Sequence, residues 1–167
     1  LIYFPSHEFE LTPDSLAMRY EELMLTTADG KLVNGWFLPT SVDSVSDRFT
    51  ILVSHGNAGN ISHRLDRVLL MHSNLNADVL LFDYRGFGRS IGKPSELGTY
   101  EDARAAYKYL IDERKLSPDR IILFGESLGA AVALQLAIEV KAAGLVLEAP
   151  FTSIAHMARE LYPFFAV

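Results

Sequence analysis

Gly125-Glu126-Ser127-Leu128-Gly129 fits G-x-S-x-G, a spacing in which a serine on a sharp strand-to-helix turn projects its hydroxyl as a nucleophile. The pattern occurs a second time, at Gly88-Arg89-Ser90-Ile91-Gly92, so it decides nothing by itself. Context separates the two. Ser127 follows the apolar run Ile121-Ile122-Leu123-Phe124 and precedes Leu128-Gly129-Ala130-Ala131-Val132-Ala133-Leu134, which supplies a strand before the turn and a helix after it. A strained turn costs about 1–3 kcal/mol and needs rigid elements on both sides. Ser90 is followed by Gly92-Lys93-Pro94, where a helix cannot continue, and reads as a loop serine.

A serine nucleophile also needs donors for the oxyanion and a base. Val53 to Asn60 leaves one apolar run and enters a helical pattern, with Gly56 and Gly59 allowing backbone N–H groups to face a ligand. The expected donors are the N–H of Asn57 and the N–H of Leu128, with Ala58 as second choice for the first. The alternative for this segment is a glycine-rich turn that binds nothing.

These groups require a particular frame. Tyr20–Thr27 and Lys31–Leu38 read as a hairpin joined at Asp29-Gly30. Non-alternating apolar runs at 49–53, 79–82, 121–124 and 145–147 suit strands buried on both faces. Helical patterns separate them at 61–75, at 100–115 with Thr99 as N-cap, and at 128–140, and a further helix is expected after Thr152-Ser153. The fold class is therefore α/β, a mostly parallel sheet covered by helices after an antiparallel hairpin. Thr40–Asp47 reads as a surface loop.

Taken in order, Thr27-Ala28-Asp29-Gly30, Gly35 to Pro39, His55 to Asn60, Phe82 to Ser90, Gly125 to Gly129 and Glu148 to Ser153 resemble the α/β-hydrolase superfamily, in its membrane-proximal serine hydrolase branch. The resemblance implies an eight-stranded sheet, a Ser–Asp–His triad and acyl-group chemistry, with a membrane segment upstream of Leu1-Ile2-Tyr3-Phe4-Pro5. The 167 residues are expected to form a single domain, 1–167, truncated after strand six and lacking the last two strands. The forty residues after Ser127 contain no Asp, three Glu (Glu139, Glu148, Glu160) and one His (His156). Glu148 and His156 stand in the right order for acid and base, but His156 falls in an expected helix and Glu148 closes a strand before Pro150. Acid and base are thus expected in a further C-terminal part, and Glu148 and His156 remain the local candidates.

Other residues are read as structural. His55 is expected to be a buried hydrogen-bonding residue, and Asp83 a strand-end carboxylate organising the Arg85–Ser90 loop. Gly86 to Gly92 loosely fits a dinucleotide loop, but Pro94 stands where a helix N-terminus should receive phosphates.

Composition narrows the classes. Fifteen basic against twenty-one acidic residues give a net charge of −6, with no Lys/Arg cluster to track nucleic acid. The absence of cysteine excludes disulfides and thiolate chemistry, and no His/carboxylate spacing suggests a metal. No cofactor is expected. The longest apolar stretch, Gly129 to Val140, is too short to span a bilayer, so cytoplasmic and membrane-associated settings both remain open. The sequence thus predicts a serine hydrolase of an ester, thioester or amide, acting on a small-molecule or acyl substrate through an acyl-serine intermediate. A non-catalytic hydrolase-fold interaction module is the alternative. The apolar strand 145–148 is expected to drive self-association if left as an edge.

Overall fold

The computed structural model describes residues 3–40 and 48–149. Strand β1 (Phe4–Pro5) precedes the hairpin of β2 (Glu21–Thr26) and β3 (Leu32–Leu38). The hairpin closes where expected: Gly30 takes φ +75°, and Lys31 N–H bonds Thr27 Oγ1 at 2.8 Å. Then come β4 (Thr50–Ser54), β5 (Ala58–Gly59), α1 (Leu65–Leu75), β6 (Asp78–Phe82), α2 (Glu96–Asp112), β7 (Ile121–Glu126), α3 (Leu128–Glu139) and β8 (Gly144–Glu148).

Six strands form one sheet in the order β2-β3-β6-β4-β7-β8. The pairings β2/β3 and β3/β6 are antiparallel; β6, β4, β7 and β8 run parallel. The central strand β4 is buried at every position. The apolar runs do not alternate because both faces are covered. Phe37, Leu52, Leu80, Phe82 and Leu123 pack under Ala103, Ala106 and Leu110 of α2 and Val132 and Leu136 of α3. On the opposite face Trp36, Ile51, Val53, Val79 and Leu81 pack against Leu65 and Val68 of α1. Each fully buried Leu, Val or Phe contributes roughly 1.5–3 kcal/mol of transfer free energy, so the two faces together hold the loops at the carboxyl edge.

Three details depart from expectation. Helix α2 begins at Glu96, with Ser95 as N-cap accepting Gly98 N–H at 3.1 Å, while Thr99 lies in the first turn and donates to the Glu96 carbonyl. The sequence hides this start behind Gly98, a poor helix former. A Cβ there would come within 2.5 Å of Arg85 Cδ, so the glycine makes room for the arginine. The first crossover opens with a 3₁₀ turn at Ile61–Arg64 before the α-helix proper, capped by Asn60. And β1 pairs in parallel with β5, joining the amino-terminal segment to the loop after β4.

Strand β8 is an edge of the described sheet, with Leu145 and Val146 partly exposed. The expected helix after Thr152 lies outside the described residues, as do most of the 40–47 loop and His156. No described helix is long and apolar enough to cross a membrane.

Candidate active site

The turn from β7 into α3 leaves a single residue, Ser127, between strand and helix. Ser127 sits at its tip with φ +53° and ψ −112°, half-buried. For a residue with a Cβ this backbone is strained. The strain is held from both sides: Ser127 N–H donates to the Glu148 carbonyl at the end of β8 at 2.9 Å, and the Ser127 carbonyl accepts Ala130 N–H at 3.0 Å. The flanking glycines make room. A Cβ on Gly125 would lie 2.2 Å from the Gly129 carbonyl oxygen, and one on Gly129 1.9 Å from that of Ser54. Strand and helix backbones therefore meet with nothing between them.

Leu128 is the first residue of α3, where an N–H has no carbonyl of its own helix to bond. Across from it, the loop after β4 passes close by. A Cβ built on Gly56 would lie 3.8 Å from Ser127 Cβ. Asn57 and Ala58 follow at once, so the structure brings the expected donor segment beside the serine. The outer side of that segment is pinned: Phe4 N–H and Ser6 N–H donate to the carbonyls of Asn57 and Gly59.

Beneath the turn, His55 is fully buried. Its Nδ1 lies 2.7 Å from the Gly56 carbonyl oxygen, and its Nε2 faces Asp83 Oδ1 at 3.4 Å. Asp83 Oδ1 also accepts Ile61 N–H at 2.9 Å. Burial pushes the Asp83 carboxyl above its usual range, against the opposing pull of His55. Tyr84 covers the imidazole and donates its hydroxyl to the His55 carbonyl at 2.8 Å.

The Arg85–Ser90 loop is organised less by the Asp83 carboxylate than by its main chain. Ser90 Oγ donates to the Asp83 carbonyl at 2.9 Å and accepts Asn34 N–H at 2.8 Å. Ser90 is 6% exposed, so it is a buried structural bridge. Arg85 reaches Asp102 of α2 and Asp29 of the hairpin turn, and its guanidinium holds the Asp29 carboxyl well below the usual carboxylate range. Gly86 folds against Pro94, where a Cβ would lie 2.7 Å from Pro94 Cδ, so this loop closes on itself.

Glu148 is engaged elsewhere: its carboxylate pairs with Arg67 of α1. The remaining described histidines have other partners, His63 Glu10 and Asn60 N–H, His72 the Pro39 carbonyl, His7 the Gly88 carbonyl. No group of three metal-binding side chains stands together among the described residues. A cavity of about 540 Å³ whose lining includes His63, Arg67, Leu70, Met71, Glu126 and Glu148 adjoins the serine turn. A larger one, about 730 Å³, lies at the opposite end of the sheet beside Pro118 and Gly144, away from the carboxyl edge where sites of open parallel sheets form.

The sequence does not reveal the His55–Asp83 contact, since nothing local links residues 28 apart; the buried Asp102 on the Ala-rich face of α2 is the one polar residue whose position could have signalled a partner.

Comparison with known proteins agrees with the architecture. An uncharacterized protein of Mycobacterium tuberculosis is 43% identical over 163 residues, covering 98% of this chain and 57% of its own length. The α/β hydrolase domain-containing protein WAV2 of Arabidopsis thaliana is 39% identical over 171 residues, covering 98% of this chain and 55% of its own length. The chain thus spans a little over half the length of these relatives. The Pyrococcus furiosus esterase Pf2001 superposes with a TM-score of 0.80 at 27% identity, over 98% of this chain and 64% of the esterase. Residues 46–166 match the family Hydrolase_4, serine aminopeptidase S33. A mixed sheet of this order, with its crossover helices and that family match, makes the chain a member of the Hydrolase_4 family, carrying part of an α/β-hydrolase domain.

Proposed function

We propose that the protein is a serine hydrolase in which Ser127 attacks the carbonyl of an ester, thioester or amide and forms an acyl-serine intermediate. The observation that carries this reading is the Ser127 backbone, φ +53° between a buried strand and a helix, at a turn that only glycines at 125 and 129 permit. Strain at one non-glycine residue costs about 1–3 kcal/mol and persists where function requires the side chain aimed outward.

In this reading the Ser127 hydroxyl gives up its proton to a base, and its oxygen bonds the substrate carbonyl carbon. The carbonyl oxygen, now negative, is held by the N–H groups of Leu128 and Asn57. Collapse expels the alcohol, thiol or amine, which takes the proton. Water then releases the acyl group by the same path. Each oxyanion donor is worth about 2.7–4 kcal/mol in the transition state. Acid and base are assigned to chain beyond these 167 residues, in keeping with relatives almost twice as long. The substrate is a small acyl compound, with the cavity beside Arg67 and Leu70 as its first contact surface.

The test is fluorophosphonate labelling of the longest natural product of the gene. Labelling lost in Ser127→Ala and kept in Ser90→Ala supports the assignment. A wild-type protein that neither labels nor turns over aryl esters, thioesters or peptides favours the non-catalytic module instead.

A further inference from the structure

The proposed mechanism uses the N–H of Asn57 but leaves unexplained why a histidine and an aspartate lie fully buried directly beneath it. Burying two ionisable groups is costly unless each is paired, so their protons must be accounted for. The Gly56 carbonyl oxygen can only accept, so at 2.7 Å the His55 Nδ1 must carry a hydrogen. That leaves Nε2 facing Asp83 Oδ1 at 3.4 Å. If neither atom held a proton, two lone pairs would confront each other in a site without water-like screening. A proton between them, as imidazolium and carboxylate or as imidazole and carboxylic acid, would remove that clash; at 3.4 Å the two atoms face each other without a well-formed hydrogen bond.

The geometry has a consequence at the turn. All described peptide bonds are trans, so the Gly56 carbonyl and the Asn57 N–H point in opposite directions across one peptide plane. A carbonyl pulled down onto His55 sends the Asn57 N–H away from it. Asp83 fixes the other end of the same loop by accepting Ile61 N–H at 2.9 Å, so one carboxylate oxygen faces both the start and the finish of residues 55–61. We propose that His55 and Asp83 share one buried proton and act together as positioning residues that turn the Gly56–Asn57 peptide, N–H outward, toward the Ser127 oxyanion. This rests on the serine hydrolase reading above.

Groups that face the pair are few. Tyr84 and Phe87 cover the imidazole with their rings, the Tyr84 hydroxyl is engaged by the His55 carbonyl, and His63 acts on Asp83 from the neighbouring 3₁₀ turn. Gly88 closes over Asp83 Oδ2, where a Cβ would lie 2.0 Å away.

The experiment compares variants of the longest natural product, with rates expressed per fluorophosphonate-titrated site so that misfolded protein does not count. Removing an oxyanion donor costs about 10²–10³-fold in kcat, and His55→Leu is expected to approach about 10²-fold with KM little changed. Affinity for a trifluoromethyl ketone analogue should fall by the same factor as kcat/KM. His55→Asn, whose amide nitrogen reproduces the Nδ1 donor, should recover much of the loss. Asp83→Asn should lower kcat, because an amide cannot accept from Ile61 and donate to His55 through one atom. Combined with His55→Leu it should add nothing, the signature of one residue acting through the other. In the wild-type protein, ¹⁵N-histidine spectra should show the hydrogen of the His55 ring on Nδ1. An unprotonated Nδ1, unchanged ketone affinity in His55→Leu, or additive losses in the double variant would each overturn the proposal. A wild-type protein that does not react with fluorophosphonate would instead remove the underlying function.

Discussion

Two loops of this protein carry the same five-residue pattern and use it in opposite ways. In the 88–92 loop the glycines take the unusual backbone, φ +49° at Gly88 and +123° at Gly92, while Ser90 is relaxed, buried and bonded on both sides. In the 125–129 turn the glycines have ordinary φ and serve only to let two backbones touch, while the serine takes φ +53° itself. Where glycine absorbs the distortion the serine is free to act as mortar. Where the serine bears it, the proposed nucleophile itself stands at the tip of the turn. A motif in sequence thus states which residues are present but not which of them is strained.

This contrast can be broken by exchanging the roles. The largest expected effect is chemical. Ser127→Ala should abolish turnover of the longest natural product, on the order of 10⁶-fold in kcat, while Ser90→Ala should retain kcat per titrated site. Next is stability at the elbow. Gly129→Ala places a Cβ on the Ser54 carbonyl and should cost about 3 kcal/mol or more in chemical denaturation, since backbone rather than a flexible side chain must yield. Ser90→Ala leaves the Asn34 N–H and the Asp83 carbonyl unpaired in the interior and should cost about 2–4 kcal/mol, measured as a shift in denaturation midpoint at unchanged slope. Ser127→Gly should go the other way, stabilising by about 1 kcal/mol while eliminating labelling. A Ser127→Gly protein no more stable than wild type would mean that the elbow backbone is not under strain.

The smallest effect concerns the helix behind the elbow. Arg104 of α2 grips Glu139 at the end of α3 through two nitrogens and holds its carboxyl down at about 2. Because that value is depressed in the folded state, the stabilisation is complete above the ordinary range near 4.5 and fades as pH falls toward 2. The pair is well exposed, so Arg104→Ala should cost only about 0.5 kcal/mol at neutral pH, with the difference from wild type vanishing in acid.

Much of the frame was legible in the chain because burial on both faces writes itself as uninterrupted apolar runs: Thr50–Ser54, Asp78–Phe82 and Ile121–Glu126 all fall within a residue or two of where those runs stand. The distinction between Ser127 and Ser90 was legible too, through Pro94. The start of α2 was not, because Gly98 looks like a break until Arg85 is seen pressing against it. Nor was the partner of Glu148. A strand-end carboxylate looks the same in sequence whether it faces a substrate or, as here, Arg67 from a helix 81 residues away. Contacts of this length are set by the sheet order, which no local pattern encodes.

The short β1–β5 ladder gives the beginning of the described chain an influence out of proportion to its size. Residues 4–8 wall in the outer side of the 57–60 segment, with Asn60 Nδ2 tied to the Ser6 and Glu8 carbonyls as well. A deletion series that starts at residue 9 would take only Tyr3 from the packed faces of the sheet yet strip this fence away. Melting temperature will therefore be a blunt gauge of amino-terminal trimming or tagging, and acylation rate a sharp one.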